Sequence, residues 1–109
     1  MQPGTKTEAR RFTRFLMDVE VNVYTQKNGL APGRTLDISE SGISAVVPLE
    51  LTLGEPVKLD IRFPLEPVMV TAVVRSRNAS RYGFEFDQHG TGKELILKAP
   101  VRLSVARPM

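Results

Sequence analysis

From Asp18 onward the chain alternates polar and apolar residues. Val19, Val21 and Val23 fall on one side, and Asp18, Glu20 and Asn22 on the other. A period of two predicts a half-buried β-strand, because successive strand side chains point to opposite faces. Lys27-Asn28-Gly29 ends it as a turn. Residues 34–38 read as a short second strand, Glu40-Ser41-Gly42 as a tight break and residues 43–47 as a third strand. Leu53-Gly54-Glu55-Pro56 is the next turn. Val57, Leu59, Ile61 and Phe63 then alternate with Lys58, Asp60 and Arg62, a fourth strand. Pro64 and Pro67 mark a connection, and the valine-rich residues 68–76 form a fifth strand. Arg77-Asn78-Ala79-Ser80 turns the chain into a sixth, in which Tyr82, Phe84 and Phe86 alternate with Gly83, Glu85 and Asp87.

The period then changes. Thr91 stands three residues before Glu94, the spacing of a capping box, with Leu95, Ile96 and Leu97 to dock a short helix. Pro100 ends it, because proline disfavours helix in the residue before it. Val101, Leu103 and Val105 alternate again, as one more strand or a tail. Six short strands at regular spacing predict a small antiparallel barrel or sandwich. The barrel is preferred because closure removes the exposed sheet edges. The expected organisation is a flexible leader at 1–9, an all-β barrel domain at 10–99 and a C-terminal tail at 100–109.

Composition narrows the function classes. The 109 residues fit one domain with one core, and the shares of hydrophobic (41%) and charged (25%) residues are ordinary for a globular chain. No apolar run approaches the length of a membrane span, so no membrane insertion is expected. Residues 1–7 lack the apolar core of a signal peptide, and the expected compartment is the cytoplasm. The chain has no cysteine, which excludes disulfides, thiolate metal sites and cysteine nucleophiles. The single histidine, His89, has no second histidine with which to share a metal and reads as a surface residue. Asp18 and Glu20 share a strand face opposite the core valines and are expected to face solvent. No nucleophile is paired with a base and no glycine-rich phosphate loop is present, so no enzyme activity and no cofactor are expected. The net charge of +3 favours anionic partners without saying which.

Two motifs carry more. Arg10-Arg11-Phe12-Thr13-Arg14 holds Arg10 and Arg14 at the spacing R-x-x-x-R. Asp37-Ile38-Ser39-Glu40-Ser41-Gly42 has the spacing D-x-S-x-x-G. Each alone is weak: an arginine run is usually a solvated leader, and Asp37, Ser39 and Gly42 also suit an Asx-type turn between two strands. Their order and their separation by one alternating strand are far more specific. Together, and with the late strand Tyr82-Gly83-Phe84-Glu85-Phe86, they resemble the PilZ family of cyclic di-GMP receptors over residues 8–90.

The resemblance implies a six-stranded antiparallel barrel with an N-terminal arginine segment and a short C-terminal helix. It implies that Arg10, Arg14, Asp37, Ser39 and Gly42 bind cyclic di-GMP. Arg11, and Arg75 and Arg81 flanking the turn before the last strand, join them as candidates. The chemistry fits such a ligand. The planar guanidinium fork meets phosphate oxygens in pairs, pairs with O6 and N7 of guanine, or stacks on a base. Asp37 offers an acceptor for guanine N1–H and N2–H, and Ser39 a hydroxyl for a phosphate or for the turn backbone. Gly42 is expected to give the turn a positive φ and the ligand close access to the backbone. Some relatives carry an arginine where this chain has Ala9, and its absence points to one ligand molecule per domain.

Phe15 is expected in the core, Phe12 is left open, and Tyr82, Phe84 and Phe86 read most simply as core. Two other functions stay open. One is a small barrel binding single-stranded nucleic acid, disfavoured by an aromatic content of only 6% placed mostly at core spacing, so no DNA partner is expected. The other is a protein-interaction adaptor of the same fold without ligand. In either PilZ-like reading the downstream partner is an effector protein or an attached domain.

Overall fold

The computed structural model describes residues 13–99. In chain order they form β1 (Phe15–Leu16), β2 (Glu20–Thr25), β3 (Gly29–Ile38), β4 (Gly42–Val46), β5 (Pro56–Ile61), β6 (Val68–Asn78), β7 (Arg81–Phe86) and one helix, α1 (Thr91–Lys98). All strand pairings are antiparallel and run β3-β2-β5-β6-β7-β4. Pairing of β4 back onto β3 closes this row into a six-stranded barrel. The leader, Arg10, Arg11, Phe12 and the stretch 101–105 lie outside the described residues.

The barrel interior is the apolar side of the alternation. Val21, Val23, Leu59, Ile61, Val74 and Tyr82 are almost wholly buried. Each fully buried aliphatic side chain of this size contributes about 1.5–3 kcal/mol through removal from water. Asp18 and Glu20 face solvent, and Asp18 pairs with Arg34 on the outer wall. Phe15 packs against the core from the edge.

The six strands stand as expected, with three differences. A two-residue strand, β1, precedes them and pairs with the end of β3, Phe15 opposite Ile38 and Leu16 opposite Asp37. It is too short to show a period. β3 begins at Gly29 instead of 34, although it contains Pro32. Proline is tolerated there because residues 29–33 pair only with β2, so the missing N–H faces no second strand. β6 runs on to Asn78, and the turn shrinks to Ala79-Ser80 with Ala79 at φ 57.

The helix also differs in detail. Thr91 is its first residue, not its cap. Gly90, in the left-handed conformation, occupies the cap, and no side chain caps the helix. The expected capping box is therefore not formed. Leu95 is buried and Ile96 packs on the barrel, but Leu97 is 87% exposed. Three consecutive helical residues spread over 200° and cannot share one docking face. The helix ends at Lys98, and Ala99 is extended ahead of Pro100.

Two β-bulges shape the wall that bears the candidate motifs. In β3 the register slips between Thr35 and Asp37, and in β6 between Val74 and Ser76. A slip of one residue exchanges inside for outside. Thr35 therefore points into the barrel and Ile38, three residues on, does so too, while Asp37 is turned to the outer wall.

Candidate functional site

The two bulges and the β3–β4 connection frame a cavity of about 410 Å³ on the outside of the barrel. It is lined by Arg14, Asp37, Ser39, Gly42, Arg75 and Arg81, six of the eight residues singled out in the sequence. Arg10 and Arg11 lie outside the described residues. The structure thus brings both ends of the β2–β3 hairpin sequence to one place, since Arg14 and Asp37 are 23 positions apart.

Asp37 is the hub. It is 5% exposed, yet its carboxylate has three polar neighbours. Oδ1 accepts hydrogen bonds from the Ser44 hydroxyl at 2.8 Å and from Arg14 Nη1 at 3.3 Å. Oδ2 stands 3.9 Å from Arg81 Nη2. A carboxylate this far from water needs such partners, because an unpaired buried charge is strongly unfavourable. Both guanidinium groups remain about half exposed and face the cavity. The carboxylate expected to read guanine also anchors two cations beside it.

The D-x-S-x-x-G turn is closed by its own groups. The Ser39 N–H donates to the Gly42 carbonyl at 2.8 Å. Ser39 Oγ accepts from the Ser41 N–H at 3.3 Å and lies 3.3 Å from Ser41 Oγ. Ser39 thus bonds the turn backbone, one of the two roles expected of it. Gly42 does not have a positive φ; that expectation is corrected. Glycine is needed because a Cβ would collide with the Phe84 carbonyl oxygen on β7. Gly83 lies against Ser76 Oγ at the β6 bulge, a milder constraint because that hydroxyl can rotate away. The glycine–aromatic strand is thus aromatic toward the core, and toward the cavity it presents Gly83 and Glu85.

Other residues at the cavity were not singled out in the sequence. Ser44 looked like an ordinary strand residue, and only the β3 bulge brings it opposite Asp37. Ser76 and Arg77 were read as strand end and turn. Arg77 instead stacks its guanidinium 5.6 Å above the Tyr82 ring and pairs with Glu50 at 3.2 Å. Glu85 pairs with Arg75, Nε to Oε1 at 2.5 Å. Four lining arginines, at 14, 75, 77 and 81, face two carboxylates, Asp37 and Glu85, an excess of two positive charges. A second cavity of about 590 Å³ adjoins the first through Ser41, Arg75 and Glu85 and reaches His89 and Lys93. His89 is exposed on its rim. Among the described residues no group of three or more His, Asp or Glu is placed to hold a metal ion, and no helix is long and apolar enough to cross a membrane.

The same barrel recurs in solved structures. The PilZ domain of YcgR from Escherichia coli with cyclic di-GMP superposes with a TM-score of 0.66 at 17% identity, covering 82% of this chain and 86% of that one. The PilZ domain of CeSA from a cellulose-synthesizing bacterium gives 0.61 at 20% identity over 75% of this chain and 87% of that one. The Bacillus subtilis inhibitor of motility, MotI/DgrA, gives 0.60 at 23% identity over 82% of this chain and 47% of that one. At such identities the likeness shows the fold. No curated protein sequence matches the chain. The family model of the PilZ domain matches residues 8–99, which is most of the sequence, and the chain belongs to the PilZ domain family.

Proposed function

We propose that this domain is a receptor for cyclic di-GMP that works as a switch without catalysis. The observation that carries the reading is the meeting of Arg14, Asp37, Arg75 and Arg81 at one outer cavity framed by the D-x-S-x-x-G turn. A cyclic dinucleotide brings two phosphodiesters and two guanines. Arginines at half exposure keep donors free for both, while the buried carboxylate fixes where two of them stand. In this reading Arg10 and Arg11, outside the described residues, supply further guanidinium groups for the ligand. The E. coli YcgR domain, whose structure holds cyclic di-GMP, has the same fold.

In this reading the ligand bridges the arginine segment to the turn, and the change of surface is read by an effector protein or an attached domain. The B. subtilis neighbour is named an inhibitor of motility, which suits an output through protein contact. Binding of single-stranded nucleic acid has less support. Phe63, Tyr82, Phe84 and Phe86 are buried, and Tyr24 is the one substantially exposed aromatic side chain among the described residues. Such binding relies on aromatic platforms for successive bases. The reading is tested by calorimetric titration with cyclic di-GMP. Saturable binding supports it, and absence of binding at high micromolar ligand sends the search to protein partners.

A further inference from the structure

Arg75 and Glu85 are joined at the mouth of the cavity, and the way the fold places them is specific. Arg75 is the extra residue of the β6 bulge: Val74 pairs with Phe84 and Ser76 with Gly83, leaving Arg75 unpaired in the ladder. The bulge throws its side chain outward over β7, where Glu85 stands. Glu85 is in turn the cross-strand partner of Gly42, the last residue of the D-x-S-x-x-G turn. One carboxylate therefore sits beside that turn and holds one of its cations, and both residues line both cavities.

Nothing in the fold requires this acid. Glu85 is about half exposed, and among the described residues its side chain bonds to Arg75 alone. Its neighbours Phe84 and Phe86 supply the core contacts of β7. A carboxylate is also a poor lining for a site that takes an anion, since like charges in proximity oppose binding.

We infer that Glu85 is an internal competitor of the ligand: it occupies Arg75 in the free protein, and a phosphate of the ligand must displace it. The inference rests on the receptor reading and concerns how that site's affinity is set. Glu85 raises the concentration at which the domain responds, because a ligand phosphodiester has to replace at Arg75 a carboxylate of equal charge. Asp37 differs in kind. It is buried and held by Ser44, so it positions Arg14 and Arg81 and stays in place.

The test is a titration series at one ionic strength with the parent, Glu85→Gln, Arg75→Ala and the double variant. Exposed ion pairs are weak, so Glu85→Gln should bind cyclic di-GMP about two- to fivefold more tightly. Arg75→Ala should bind more weakly, and adding Glu85→Gln to it should recover little. Damage to the fold weakens binding and cannot imitate a gain. Inorganic pyrophosphate, followed through the arginine Nε resonances, serves as a second probe. If the parent ignores cyclic di-GMP but Glu85→Gln binds pyrophosphate more tightly than the parent, the receptor reading falls and the competitor role stands. If Glu85→Gln is no tighter than the parent for either probe, the competitor role is overturned.

Discussion

Ser44 on β4 donates its hydroxyl to Oδ1 of Asp37 on β3 at 2.8 Å, and the two residues face each other only because β3 carries a bulge between Thr35 and Asp37. Both are largely buried. The bond fixes one carboxylate oxygen, so that Arg14 and Arg81 are drawn to defined places at the cavity wall.

Loss of the Asp37 charge should therefore act through the arginines. Asp37→Asn keeps the shape and an acceptor for Ser44 but leaves two cations without their anchor. Hydrogen bonds to charged groups are worth about 1.5–3 kcal/mol, so cyclic di-GMP affinity should fall about 10- to 150-fold. Titration calorimetry measures it, and parental affinity in the variant would remove Asp37 from the site.

The arginine clamp makes its own prediction. Arg14→Ala and Arg10→Ala should each weaken cyclic di-GMP binding by about 1.5–3 kcal/mol. Arg14 partners the buried Asp37 carboxylate, so its loss should also lower the melting temperature modestly, with Ser44 and Arg81 left to hold Asp37. An Arg14→Ala protein that stays folded and binds like the parent would show the clamp to be wrongly assigned.

Tyr82 offers a prediction about stability alone. Its buried hydroxyl accepts from the Leu51 N–H at 2.9 Å and faces the Leu49 carbonyl at 3.3 Å, tying the β4–β5 connection to the barrel. Tyr82→Phe leaves the Leu51 N–H without its partner. Stability should drop by about 1–3 kcal/mol, a fall in Tm of several degrees in a domain of this size. Differential scanning calorimetry reads it directly, and an unchanged Tm would mean that the bond contributes nothing.

Gly92 ties the helix to the site. A Cβ there would collide with the backbone carbonyls of Ser39 and Glu40, so α1 sits directly on the D-x-S-x-x-G turn. Gly92→Ala should push the helix away or strain the turn, costing about 1–3 kcal/mol as overpacking does. Amide chemical shifts should change at residues 38–42 as well as along α1. Changes confined to the helix would contradict the contact.

The alternation of Val19, Val21 and Val23, and of Val57, Leu59, Ile61 and Phe63, made the strands legible, because burial on one face imposes a period of two. The paired spacing of Arg10 and Arg14 with Asp37, Ser39 and Gly42 made the family legible. Less was readable where pairing overrides local pattern. The β3 and β6 bulges leave no mark in composition, and they decide that Ser44 meets Asp37 and that Arg75 meets Glu85. Gly42 reads as a glycine position in the sequence, but not for the positive φ expected there: the constraint seen in the fold comes from Phe84 on a strand more than 40 residues away. The helix was read with three docking leucine-type residues where its period allows two.

The most direct measurement is isothermal titration of the domain with cyclic di-GMP, with GTP and cyclic di-AMP as controls. The account predicts saturable binding of cyclic di-GMP alone, with one ligand per domain. No heat, together with no displacement in an independent fluorescence assay, would contradict the receptor reading and leave a barrel that acts through protein contacts.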